Sequence, residues 1–227
     1  MSDDLGRRAL AEALGTAFLV AIVVGSGIAA ARLSTDTGLQ LLENSAATGA
    51  GLVALILAFG PVSGAHLNPA VSVADHLLGG ITSRQLAAYI PAQVVGGCVG
   101  AIVANVMFDL PAVTASTHAR ASGALWLSEV VATLGLLLVV FGVARSAASK
   151  SVPFAVGGYI AAAYWFTSST SFANPAVTVA RTLTNTFAGI EPASAPAFIV
   201  AELGAAVLAV VVVRYLFPSR EAVRVGG

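Results

Sequence analysis

Two stretches of this chain carry no formal charge and are each too long to cross a bilayer once and too short to cross it twice. Residues 44–74 run for 31 positions and residues 151–180 for 30 without an Asp, Glu, Lys or Arg. One helical crossing needs about 20 apolar residues. Three other charge-free intervals fit a single crossing: 19 residues between Glu12 and Arg32, 24 between Arg84 and Asp109, and 15 between Glu129 and Arg145. The long stretches each hold a proline near the far end, Pro69 and Pro175. Their length is met by a full span, a polar turn and a short helix that re-enters to mid-membrane. Such backbone is tolerated at depth only where protein or a water-filled cavity satisfies its polar groups, so the stretches imply a cavity. Asp75 and Arg181, which close the two stretches, are expected at that cavity or its mouths rather than against lipid.

Composition supports the membrane reading. The chain is 57% apolar and 10% charged, against roughly 25% charged in a soluble domain. A formal net charge of zero offers no basic surface to a nucleic acid. One cysteine, Cys98, forms no internal disulfide, and the three scattered histidines make no metal-binding set. No metal and no cofactor is expected.

The chain predicts an all-α membrane protein with six spans, near residues 9–31, 45–62, 85–108, 124–144, 152–169 and 197–217, and re-entrant pieces beginning at Asn68 and Asn174. Arg7 and Arg8 before the first span suggest a signal peptide, but its apolar run exceeds the usual 7–15 residues, so it is expected to stay as a span. Six spans put Arg7, Arg8, Arg84, Arg145, Lys150, Arg214, Arg220 and Arg224 on one side and Arg32, Arg120 and Arg181 on the other. The positive-inside rule then places both termini in the cytoplasm.

The chain also repeats itself. Asn-Pro-Ala-Val-Ser-Val-Ala from Asn68 returns as Asn-Pro-Ala-Val-Thr-Val-Ala from Asn174. Glu12 with Thr16 is matched by Glu129 with Thr133, and Tyr89-Ile90-Pro91-Ala92-Gln93 is loosely echoed by Phe198-Ile199-Val200-Ala201-Glu202. The repeats cover about residues 9–108 and 123–217 of a single domain, 1–227. Each half has three spans, an odd number, so the second is inverted relative to the first. Inverted repeats place their shared site near the midplane, at discontinuous helices.

A lone Asn-Pro-Ala marks nothing more than a helix start, Asn as N-cap and Pro as first residue. Two copies in matching places after overlong apolar stretches mark more. A capping Asn spends its side-chain oxygen on its own helix, leaving the amide NH₂ to donate into the cavity. Two helix N-termini aimed at one point add a positive field that welcomes a neutral oxygen-bearing solute and repels a cation.

With Ser63-Gly64-Ala65-His66-Leu67 before the first motif, and Glu12 and Glu129 in the first and fourth spans, the chain closely resembles the aquaporins and glycerol facilitators, the major intrinsic protein family. The resemblance covers essentially the whole chain. It implies the aquaporin-like fold, a homotetramer with one pore per subunit, and a pore through Asn68, Pro69, Ala70, Asn174, Pro175 and Ala176. It implies that the carbonyls of Gly64, Ala65 and His66, and of Ser171, Phe172 and Ala173, form a ladder for solutes. Glu12 and Glu129 are expected to brace the loops; a proton relay is the alternative reading of an intramembrane carboxylate.

Most of the family has an Arg directly after the second Asn-Pro-Ala, and here that position is Val177. The other filter positions, carried over by spacing, are Thr48, Ala162 and Ser171. None is aromatic or charged, which predicts a wide constriction passing polyols, urea or arsenous acid as well as water. The pattern is similar to a bacterial branch associated with arsenic resistance, which implies the cell's inner membrane. Arg181, one helical turn beyond Val177, either folds back toward the constriction or is solvated in the outer vestibule, the simpler reading. His66 is read as a hydrogen-bonded loop histidine, with a pH-gating place at the cytoplasmic mouth as the alternative, and Gly96 and Gly100 are expected at a close helix crossing. No nucleophile, base and orienter fall together, so an enzyme is not expected. A water-selective channel and an ion-coupled transporter with inverted repeats remain the competing functions.

Overall fold

The computed structural model of the chain describes residues 4–217; Arg220 and Arg224, counted above for sidedness, lie outside the described residues. Eight α-helices follow from local signals. Asp4 caps α1 (Leu5–Leu33) and Asp36 caps α2 (Thr37–Ser63), each accepting a backbone N–H with its carboxylate. Asn68 caps the short α3 (Pro69–Leu77), and a reciprocal Thr82–Gln85 capping box opens α4 (Ser83–Met107). Ser122 caps α5 (Gly123–Ala144); α6 (Val152–Phe166) follows a 3₁₀ turn over Ser149–Ser151. Asn174 caps α7 (Pro175–Ala180), which passes into a second 3₁₀ turn, Arg181–Leu183, and α8 (Ala195–Leu216) completes the set.

Five of these helices, α1, α2, α4, α5 and α8, are long and apolar enough to cross a membrane. The sixth span, α6, has 15 residues, about 22 Å. It stops at Phe166 rather than at the expected 169 because Thr167 turns extended (φ −107°, ψ 141°) while its hydroxyl donates to the Ala163 carbonyl at 2.7 Å. The Thr-Ser-Ser-Thr-Ser run that follows offers the backbone side-chain partners and ends the helix.

The halves mirror one another: α1 packs on α4 as α5 packs on α8, α3 and α7 tuck between the halves, and α2 meets α6 across them. A Cβ on Gly96 or Gly100 would fall on the carbonyl oxygens of Ala13 or Ala17, so α1 and α4 touch backbone to backbone. Gly49 and Gly157 do the same for α2 and α6. One face of the bundle gathers the start of α1 and the end of α8: Arg8 donates to the Ser63 carbonyl at 3.4 Å, Arg145 to that of Phe217 at 2.5 Å and Arg214 to that of Leu77 at 2.6 Å. Arg32, Arg120 and Arg181 lie toward the opposite face, where Thr114 N–H bonds the Leu183 carbonyl at 3.0 Å.

Candidate functional site

The polar turns before the half-helices share one backbone shape. Ala65 and Leu67 in the first, and Ser171 and Ala173 in the second, have φ of 48°, 50°, 53° and 48°, each costing about 1–3 kcal/mol for a side chain with Cβ. Buried carboxylates hold this shape. Glu12 accepts the His66 N–H (3.0 Å) and the Leu67 N–H (2.6 Å), and also the Ser63 hydroxyl and the Gln93 amide. Glu129 accepts the Phe172 N–H (3.0 Å) and the Ala173 N–H (2.7 Å). Hydrogen bonds to a charged acceptor contribute about 1.5–3 kcal/mol each, enough to offset the strain. With their N–H groups drawn back to the carboxylates, the turns present carbonyls toward the interior.

Those carbonyls meet the asparagines. Asn68 Oδ1 accepts the Ala70 N–H at 2.8 Å, and Asn174 Oδ1 accepts those of Ala176 (3.0 Å) and Val177 (3.3 Å). Their amides are not wholly free, as the cap argument had them. Asn68 Nδ2 donates to the Ala173 carbonyl (2.7 Å) and Asn174 Nδ2 to the Leu67 carbonyl (2.8 Å), each tying its half-helix to the other half's turn. An amide NH₂ has two hydrogens, so one per asparagine is left for a solute.

A cavity of about 390 Å³ passes both asparagines, from Asp75 and Arg145 at one end to Arg181 at the other. At about 30 Å³ per molecule it has room for a file of waters. Thr48, Gly64, Ala65, His66, Ser171, Phe172, Ala173 and Val177 line it as well. Pro69, Ala70, Pro175 and Ala176 are buried behind the asparagines in the first turns of α3 and α7. His66 Nε2 lies 3.4 Å from Asp75; Asp75 thus pairs with His66, while His76 bonds the Ile81 carbonyl.

Two expectations are corrected here. Ala162 does not reach the cavity; it is exposed on the far side of α6, while Val152, Val156, Ile160 and Tyr164 line the cavity at steps of four. Counting back from Asn174 misses this stripe because the turn after α6 shifts the register, and the step of four was the available signal. Tyr164 is buried, its hydroxyl 3.2 Å from that of Thr48. Arg181 is not solvated in a vestibule. It is 2% exposed and lines the cavity, with its guanidinium carbon 3.4 Å from the centre of the Phe172 ring and its Nε donating to the Ala188 carbonyl. Position 177 lacks Arg, yet this end of the cavity is both aromatic and charged.

Two supporting residues had only faint sequence signals. Arg120, in a loop without a chemical motif, also lies over the Phe172 ring, 5.1 Å from its centre, and donates to the Gly189 and Ser169 carbonyls at 3.1 and 3.3 Å. Burial lowers its pKa from the ordinary guanidinium value, and the charges of Glu129 and Tyr164 oppose that shift. Glu202, the echo of Gln93, accepts the Asn174 N–H (3.1 Å) and the Thr178 hydroxyl (2.8 Å), and lies beside the Glu129 carboxyl.

The model of the family described as "Major intrinsic protein" matches residues 2–171. The chain is 52% identical over 222 residues to the Aquaglyceroporin AqpS of Rhizobium meliloti (strain 1021), covering 97% of this chain and 95% of that one. It is 44% identical over 103 residues to a glycerol uptake facilitator protein of Pseudomonas aeruginosa, covering 45% and 36%. The solved aquaglyceroporin of Plasmodium falciparum shares the fold at TM-score 0.75 and 20% identity, covering 95% of this chain and 98% of that one. Matched along most of its length in sequence and in fold, the chain belongs to the major intrinsic protein family of membrane channels.

Proposed function

We propose that the chain is a passive pore for small uncharged solutes: water, glycerol-like polyols and metalloid hydroxides such as arsenous acid. The observation that carries this reading is the cavity itself, which passes two reciprocally tied asparagines with apolar walls and has charged side chains only toward its ends. A neutral solute exchanges water for the free amide hydrogens and the turn carbonyls. An ion would lose its hydration in low dielectric with no counter-charge at mid-depth. The relatives named aquaglyceroporin and glycerol uptake facilitator support polyols among the solutes. Ion coupling calls for an ionisable group facing the path at mid-depth, and Glu12 and Glu129 sit behind the turns with their oxygens engaged.

In this reading Asn68 and Asn174 orient solutes, Glu12 and Glu129 brace the turns, and Thr48, Ser171 and Val177 line the constriction with Tyr164 in place of Ala162. The halves, about residues 9–108 and 123–217, are inverted repeats of one channel domain. The chain sits in the inner membrane of a cell with both termini in the cytoplasm and assembles as a homotetramer, one pore per subunit. Exposed apolar residues such as Val95, Val99 and Val103 on α4 and Val207 and Val211 on α8 suit lipid or subunit contact. Stopped-flow light scattering of proteoliposomes with water, glycerol and arsenous acid tests the reading. Flux of all three above protein-free vesicles, without ions or ATP, is expected; passage of water alone would leave a water-selective channel.

A further inference from the structure

The end of the cavity near Arg181 holds a charged side chain that the pairing of asparagines does not use. Arg181 follows α7, and the segment after it closes over it. The Ile190 N–H donates to the Arg181 carbonyl at 3.2 Å, and Arg181 Nε donates to the Ala188 carbonyl. The guanidinium carbon stands over the Phe172 ring, 3.4 Å from its centre, and that ring is edge-packed on Phe198 at 5.2 Å between centres. Side chain and ring are thus held in one orientation. Among the described residues the two terminal guanidinium nitrogens make no hydrogen bond, although the residue is 2% exposed and borders the cavity. A planar fork of N–H donors, without a hydrogen-bond partner among the described residues, opens onto the cavity. Tyr164 reaches the same end of the cavity from α6, tied by its hydroxyl to Thr48 of α2.

We propose that Arg181 and Tyr164, rather than the residues at positions 177 and 162, set the solute selectivity of this pore. The Arg181 fork donates to neighbouring hydroxyl oxygens of a neutral polyhydroxylated solute, and Tyr164 limits its girth. The Thr48–Tyr164 hydrogen bond fixes where the phenol stands. Phe172 and Val177 supply an apolar wall for the carbon side of the solute. The assignment rests on the channel reading above and adds which side chains choose among solutes. It places the selective point where the Arg181 guanidinium meets the Phe172 ring, in the turn that precedes Asn174.

The test uses the full chain in proteoliposomes and the permeabilities of water, glycerol, erythritol and ribitol for wild type, Arg181→Leu, Arg181→Lys, Tyr164→Ala and Ala162→Val. Wild type is expected to pass glycerol and discriminate against ribitol. Arg181→Leu and Tyr164→Ala are expected to lower the glycerol-to-ribitol ratio about tenfold, the scale at which a pocket senses one or two carbon units. Arg181→Lys, which keeps the charge and loses the fork, falls between, and Ala162→Val keeps the wild-type ratio. Water flux through each variant shows that it has folded. If Arg181→Leu and Tyr164→Ala conduct water with the wild-type polyol ratio, or if Ala162→Val shifts that ratio, the assignment is overturned while the channel stands. If wild type moves no solute at all, the channel reading falls and takes the assignment with it.

Discussion

Each half-helix begins at an asparagine that does two jobs, capping its own helix and donating to the opposite turn. Asn174→Ala removes both, so a loss of about 2 kcal/mol is expected in thermal unfolding of the detergent-solubilised protein. The carboxylates behind the turns predict opposite outcomes for one chemical change. Glu12 accepts four donors, and Glu12→Gln turns an acceptor into a donor facing donors, at about 2–3 kcal/mol. Among the described residues Glu202 Oε2 accepts no hydrogen bond and lies beside the Glu129 carboxyl, whereas its counterpart Gln93 donates to Glu12 at 2.8 Å. Glu202→Gln recreates the first half's contact and is expected to keep or raise stability in the same measurement. The asparagines and Glu12 and Glu129 were legible as repeated letters. Tyr164 was legible only as the last step of the four-residue stripe from Val152, which counting back from Asn174 passes over, and the sequence allowed Arg181 two placements, because its long side chain is held by the 184–190 segment, which repeats nothing in the first half. Glu202 was seen only as an echo of Gln93, since spacing alone does not say that it is buried.

Span ends were legible in the sequence to within three residues; starts were less so, because α1 and α2 begin at Leu5 and Thr37, before the expected 9 and 45, where Asp4 and Asp36 cap them. The 15-residue α6 shows that a Ser/Thr run can stop an apolar span early, a competition that hydropathy does not register. The glycines of α4 make a sharper prediction. Gly100→Val would press a branched side chain into the Ala17 carbonyl and force α1 and α4 apart, with a cost above about 3 kcal/mol expected as loss of folded protein. Gly204→Ala in α8 meets nothing within 4 Å and is expected to leave thermal stability unchanged or slightly raised. Equal effects of the two on the yield of folded protein would remove the backbone-contact argument.

Across the whole molecule, opposite halves supply matching parts to one path: α1 and α5 give the carboxylates, α3 and α7 the asparagines, and the preceding turns the carbonyls. The scarcity of charge along the two long stretches is the sequence trace of that path, and the charges that close them, Asp75 and Arg181, stand at its ends. The central claim is that the path conducts neutral solutes down their gradients. It is tested most directly by the swelling rate of proteoliposomes in an inward glycerol gradient, recorded with the ionic conductance of the same membranes. A swelling rate well above that of protein-free vesicles, proportional to the gradient, unaffected by removing ion gradients and accompanied by no added conductance, is the predicted result. A rate equal to that of protein-free vesicles, or one that needs an ion gradient, would contradict it.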